Sequence, residues 1–214
     1  MDTAKENVHN LLVGINRYNP ENLTVLHAYV EQQAQEGTYD VEANLAVLKL
    51  YQFNPSLFQS NIVSLILLKA LTNLPSNDFS LCRCLMVESH EEDEQISRIF
   101  YLGELLETCN FITFWEELAQ NKDLSSTVNG FEESIRDFIC YVLNITYQTI
   151  EASLVAKLLG DVNETELNAI ISAKNWQRVD NNKIFLSNQE LNSNSKNMSF
   201  KFEIDNLASI MNCG

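Results

Sequence analysis

Three histidines and five cysteines are the side chains of this 214-residue chain best suited to metal binding or nucleophilic catalysis. His90 stands in the run Glu88-Ser89-His90-Glu91-Glu92-Asp93-Glu94. Its His-Glu start resembles part of a zinc-protease motif. That motif needs a second His four residues on, so that both imidazoles face one metal from successive helical turns, and position 94 is Glu. The run also lacks the Asp/Gly alternation of a calcium loop. It reads as a solvated acidic loop, able to meet a basic partner. Cys82 and Cys84 lie two positions apart, which on a helix turns their thiols about 200° from each other. No second Cys or His pair stands at zinc spacing. A cysteine nucleophile needs a base, and no spacing pairs a cysteine with His9, His27 or His90. A Gly-rich phosphate loop, a Walker-type lysine and a nucleophile elbow are all missing. The expectation is a non-enzyme with no catalytic residue, no metal and no cofactor.

The elements around these residues follow from composition and periodicity. Six Gly and three Pro in 214 residues fall well under the usual roughly 7% and 5%. Sandwiches, barrels and propellers need many more of these turn formers, so a mainly helical chain is expected. The apolar share of 45% is that of a globular protein. No run approaches the ~20 apolar residues of a membrane span, and Met1 to Asn10 lacks the apolar core of a signal peptide. Scattered, odd-numbered cysteines read as free thiols in a reducing compartment. Together these point to a cytosolic or nuclear protein without a membrane contact.

The formal net charge is −15. Phosphate contact needs clustered Lys and Arg, so this balance argues against direct nucleic-acid binding and for protein partners. The charge is uneven: residues 1–144 hold 8 basic and 21 acidic side chains, residues 145–214 hold 6 and 8.

Up to residue 144 apolar residues recur at i, i+3, i+4 and i+7, one face of a helix. The sets are Val8, Leu11, Leu12 and Ile15; Leu23, Leu26, Val30 and Ala34; Phe58, Ile62, Leu65 and Ile66; Phe79, Cys82, Leu85 and Met86; Ile96, Ile99, Phe100 and Leu106; Phe111, Phe114, Trp115 and Leu118; and Phe131, Ile135, Phe138, Ile139 and Val142. In Val41 to Tyr51 the apolar residues spread round the helix, which predicts burial on several sides. Asn19-Pro20 and Asn54-Pro55 read as N-caps followed by proline, and Asp40, Asp78 and Asn110 as further caps. Gly37 can close a helix. About eight helices with short connectors are expected, packed antiparallel and stacked as a degenerate helical repeat.

After residue 144 the pattern changes. Ile150 to Leu159 reads as a short helix closed by Gly160, and Asn163-Glu164-Thr165-Glu166 has capping-box spacing. Trp176 to Val179 and Lys183 to Leu186 read as strands around an Asp180-Asn181-Asn182 turn. Helix, helix, strand, hairpin, strand is the order of a winged helix. Its second helix carries Glu164 and Glu166 against Lys174, a poor surface for a phosphate-lined groove. Ile184 and Leu186 are candidate partner-binding residues on an edge strand open to β-augmentation. Residues 187–199 read as a polar link. A last short helix presents Leu207 and Met211, the other partner-binding candidates. The expected domains are a helical repeat over 1–144, a winged helix over 145–187, and a link with a C-terminal helix over 188–214.

Several segments carry a family resemblance: Tyr18 to Leu23 (YNPENL), Tyr39 to Pro55 (YDVEANLAVLKLYQFNP), Ile66 to Pro75 (ILLKALTNLP), Tyr101 to Cys109 (YLGELLETC) and Ile145 to Gln148 (ITYQ). From about residue 8 to 186 the chain resembles the subunit k family of eukaryotic translation initiation factor 3. That PCI-type family is similar to small subunits of the proteasome lid and the signalosome. The resemblance implies a mainly α fold, HEAT-like repeats followed by a small winged helix, and a non-catalytic role. It implies contacts with other initiation-factor subunits, above all subunit l, and with the small ribosomal subunit through the complex, in mRNA and initiator-tRNA recruitment. An RNA-binding winged-helix protein, or a PCI subunit of a proteasome-lid or signalosome-type complex, are the alternatives.

Overall fold

The computed structural model describes residues 2–86, 93–180 and 182–186. Helices dominate. In chain order they are α1 (Asp2–Leu11), α2 (Leu23–Glu36), α3 (Val41–Phe53), α4 (Ser60–Leu71), α5 (Asp78–Cys84), α6 (Glu94–Glu107), α7 (Phe111–Gln120), α8 (Lys122–Ser126) and α9 (Phe131–Thr146). Then come β1 (Thr149–Glu151), α10 (Ala152–Leu158), α11 (Glu164–Ala173), β2 (Gln177–Asp180) and β3 (Lys183–Phe185). The fold is mainly α, as the scarcity of Gly and Pro predicts.

α4 is the centre of the helical part, with α2, α5, α6 and α9 packed around it. Its sequence SNIVSLILLKAL is apolar nearly all round, and nine of its twelve residues are buried. α3 is also buried on several sides, through Ala43, Ala46, Val47, Leu48, Leu50 and Tyr51. It is tied to α2 by polar contacts as well. Gln33 and Asn44, both buried, exchange amide hydrogen bonds of 3.0 and 3.3 Å, and Gln33 Oε1 also accepts from the Asp40 backbone N–H. The apolar faces of α2, α6, α7 and α9 fall where the 3.6-residue period places them. One hydrophobic cluster runs from Val8 to Leu186.

Local signals fixed many boundaries. Asp40 caps α3 through the Ala43 N–H, and Gly37, at φ 69°, closes α2 in a left-handed conformation. The Asn163/Glu166 capping box is formed, each side chain accepting from the other's backbone N–H at 2.9 and 3.1 Å.

Other expectations change. α1 ends at Leu11, and Ile15 lies in a 3₁₀ turn, Gly14–Tyr18, where it is 85% exposed rather than in the core. Asn19-Pro20 and Asn54-Pro55 start short 3₁₀ turns, Pro20–Asn22 and Pro55–Leu57, before α2 and α4 begin. Asp78 is the first residue of α5, with Asn77 in the cap position. Ile150 is not helical: Thr149–Glu151 forms β1, because a distant strand offers it a ladder, Ile150 opposite Ile184.

The sheet order is β1-β3-β2, antiparallel throughout. This corrects the placing of Ile184 and Leu186 on an edge. β3 is the middle strand, hydrogen-bonded on both sides, and Ile184 is wholly buried. Leu186 is buried too, its N–H donating to Gln148 O at 3.0 Å. Asn181, residues 88–92 of the acidic run, the 187–199 link, Leu207 and Met211 lie outside the described residues.

Candidate functional site

The thiols and imidazoles sit in settings that explain their chemistry. Cys82 is buried while Cys84 is exposed, as their spacing requires. Burial pushes the Cys82 thiol up to about 12 and the Cys140 thiol up to about 11, which keeps both protonated near neutrality. Burial lowers the His27 pKa, which favours the neutral ring, and His27 Nε2 shares a 2.6 Å hydrogen bond with the Tyr51 hydroxyl. Among the described residues no group of three or more His, Cys, Asp or Glu is placed to hold a metal ion. No helix among them is long and apolar enough to cross a membrane.

The C-terminal part is built as strand, helix, helix, strand, strand. Ile150, Val155, Leu159, Leu167, Ile171, Trp176, Ile184 and Leu186 form its interior. Trp176 Nε1–H donates to Asn144 Oδ1 at 3.2 Å, which ties β2 to the end of α9. The exposed side of α11 shows Asn168, Ala169 and Ser172, with Glu164 and Glu166 at its start. Four cations of this part are described, Lys157, Lys174, Arg178 and Lys183. Two of them are engaged: Lys174 pairs with Asp137 of α9 at 2.8 Å, and Arg178 pairs with Glu164.

β2 is an outer strand, and all four of its residues are exposed, Val179 at 60%. Its ladder with β3 is irregular between Arg178 and Asp180. Among the described residues no strand pairs with its outer side, the feature by which a sheet edge accepts another strand. Of the predicted partner-binding residues, then, Ile184 and Leu186 hold the sheet together from inside. The open edge belongs to Gln177, Arg178, Val179 and Asp180.

Sequence reasoning missed the contact that seats this sheet unit on the helices. Trp115 of α7 donates from Nε1 to Leu158 O at 2.9 Å, and Arg136 of α9 lies 5.1 Å from the Trp115 ring centroid. Arg136 Nε–H also donates to Leu159 O at 3.2 Å. Gly160, at φ 92°, lies so close to the indole that an added Cβ would stand 2.9 Å from Trp115 Cδ2. The available signal was weak, a glycine after an apolar helix and a tryptophan on the buried face of another.

Comparison with known proteins places this architecture. The model of the CSN8/PSMD8/EIF3K family matches residues 57–197. Relatives named eukaryotic translation initiation factor 3 subunit K are similar along almost the whole length. The Xenopus tropicalis protein is 52% identical over 98% of this chain and 96% of its own. The human protein is 51% identical over the same shares. The Nematostella vectensis protein is 47% identical over 95% of this chain and 94% of its own. The chain belongs to the CSN8/PSMD8/EIF3K family.

Proposed function

We propose that this member of the CSN8/PSMD8/EIF3K family is a non-catalytic subunit of eukaryotic translation initiation factor 3. In this reading it works through contacts with other subunits, subunit l foremost, and reaches the small ribosomal subunit through the assembled factor during mRNA and initiator-tRNA recruitment. The observation that carries the reading is identity near 50% over 98% of the chain to proteins named subunit K. Its place of action is the cytoplasm.

The geometry supports docking by protein contacts. Residues 1–144 act as a helical repeat scaffold and residues 145–187 as a winged helix; the strand-helix-helix-strand-strand order and the antiparallel β1-β3-β2 sheet support this division. The exposed β2 edge is the place for an added strand, and Leu207 and Met211 are proposed as anchors for a partner helix. Half of the described cations of the sheet unit already pair with carboxylates, and α11 begins with two acids. Among the described residues of this unit that leaves two cations, Lys157 and Lys183, for the phosphate neutralisation that sets affinity for nucleic acid.

The test is to tag the full-length chain in cells and fractionate the lysate on a gradient after nuclease treatment. Migration with the initiation-factor subunits, unaffected by nuclease, is the expected result. A chain that runs alone, that moves with proteasome-lid or signalosome subunits, or that leaves the complex when RNA is digested would overturn the reading.

A further inference from the structure

A second exposed surface lies at the other end of the sequence, where the 3₁₀ turn Gly14–Tyr18 packs on α3. Ile15 and Tyr18 are three residues apart, and in a 3₁₀ helix such residues stand one above the other. Tyr18, 49% exposed, meets Phe53 of α3, 59% exposed, edge to face at 6.0 Å between centroids. A cation sits over each ring: Arg17 is 5.9 Å from the Tyr18 centroid, and Lys49 Nζ is 5.8 Å from that of Phe53. The ion pairs among the described residues use Arg98, Arg136, Lys174 and Arg178, so Arg17 and Lys49 keep their charge for a partner. Large apolar side chains, two aromatic rings and uncompensated cations together make the composition that dominates binding energy at protein interfaces.

We infer that the Ile15–Arg17–Tyr18–Lys49–Phe53 surface docks an acidic, apolar segment of another protein, with its apolar side chains on Ile15, Tyr18 and Phe53 and its carboxylates on Arg17 and Lys49. Charge complementarity selects this occupant. Two cations 5.8–5.9 Å above ring faces match one or two carboxylates. They do not match a run of phosphates, which needs a larger cluster of Lys and Arg than these two. The rings also stand at 67° to each other, with no parallel platform on which successive bases could stack. The surface is separate from the β2 edge and does not depend on it.

The test places the photo-crosslinker p-benzoylphenylalanine at position 15 of the full-length chain in cells and identifies the captured peptide by mass spectrometry. The expected product is one segment of another protein in which Asp or Glu flanks apolar residues. Its synthetic copy is expected to lose about tenfold in affinity for the Arg17→Glu, Lys49→Glu double variant, as when a close interfacial charge pair is broken. Lys122→Glu, an exposed position on α8 outside this surface, keeps full affinity. Circular dichroism of each variant confirms an unchanged fold. Capture of RNA, of a basic segment, of a second copy or of this chain's own residues 187–214, no capture, or binding indifferent to the double charge reversal would each overturn the inference. A captured segment of the expected chemistry from outside the initiation factor would leave it standing and count only against the complex membership proposed above.

Discussion

Gly160→Ala tests the contact between the sheet unit and the helices. Two costs add at this position. The backbone sits at φ 92°, which an L side chain resists by roughly 1–2 kcal/mol. The new Cβ would also stand 2.9 Å from Trp115 Cδ2 and 3.2 Å from Cε2 and Cε3. The indole cannot retreat freely, because its Nε1–H is held by Leu158 O and its face by Arg136. Overpacking of this kind costs about 1–3 kcal/mol, so the sum is about 2–5 kcal/mol. Gly37→Ala supplies the control. Gly37 has φ 69°, but its nearest neighbour to an added Cβ is Asn129 O at 3.9 Å, an ordinary contact. Only the backbone cost applies there, roughly 1–2 kcal/mol. For a chain of this size each kcal/mol moves the melting temperature by about 2–4 °C. Thermal and urea unfolding followed by circular dichroism should therefore show Gly160→Ala losing about twice as much as Gly37→Ala. In a Trp115→Leu background the excess should disappear, which a double-mutant cycle reads directly. Equal losses at the two glycines, or an excess that survives Trp115→Leu, would refute the packing argument.

Three further outcomes are expected. Gln33→Leu strands the buried Asn44 amide and should cost about 1–3 kcal/mol in urea unfolding, while adding Asn44→Leu should restore part of the loss. The His27 pKa is lowered by burial, so the unfolded chain binds more protons near its ordinary value of 6.5. Stability should therefore fall as the pH drops from 7 to 5, and His27→Gln should flatten that part of the pH profile. Val179→Asp, at an exposed β2 position, should leave the melting temperature of the free chain nearly unchanged and weaken co-purification with the other subunits. Leu207→Asp with Met211→Asp is expected to weaken it as well, and unchanged pull-down in both variants would remove the β2 edge and the C-terminal stripe from the docking account.

Much of the helical part could be read from the sequence because the deciding interactions span four residues or fewer. Asp40 reaches the N–H of Ala43, Asn163 and Glu166 cap each other, and the apolar faces of α2, α6, α7 and α9 repeat at the helical period. Scarce glycine and proline settled the mainly α class for the same local reason, since turns need those residues near at hand. What the tertiary structure alone decided depends on partners far along the chain. Thr149–Glu151 is a strand only because Lys183–Phe185 arrives beside it, and that arrival makes β3 the middle strand and takes Ile184 from the edge into the core. Ile15 fits the apolar stripe of α1, but the helix stops at Leu11 and leaves it outside, next to a Tyr18–Phe53 pair joined across 35 residues. Trp115 and Gly160 meet across a similar gap. A side chain's period says which face it occupies; which faces are then covered is set by the sum of contacts between distant segments, and only the folded chain evaluates that sum.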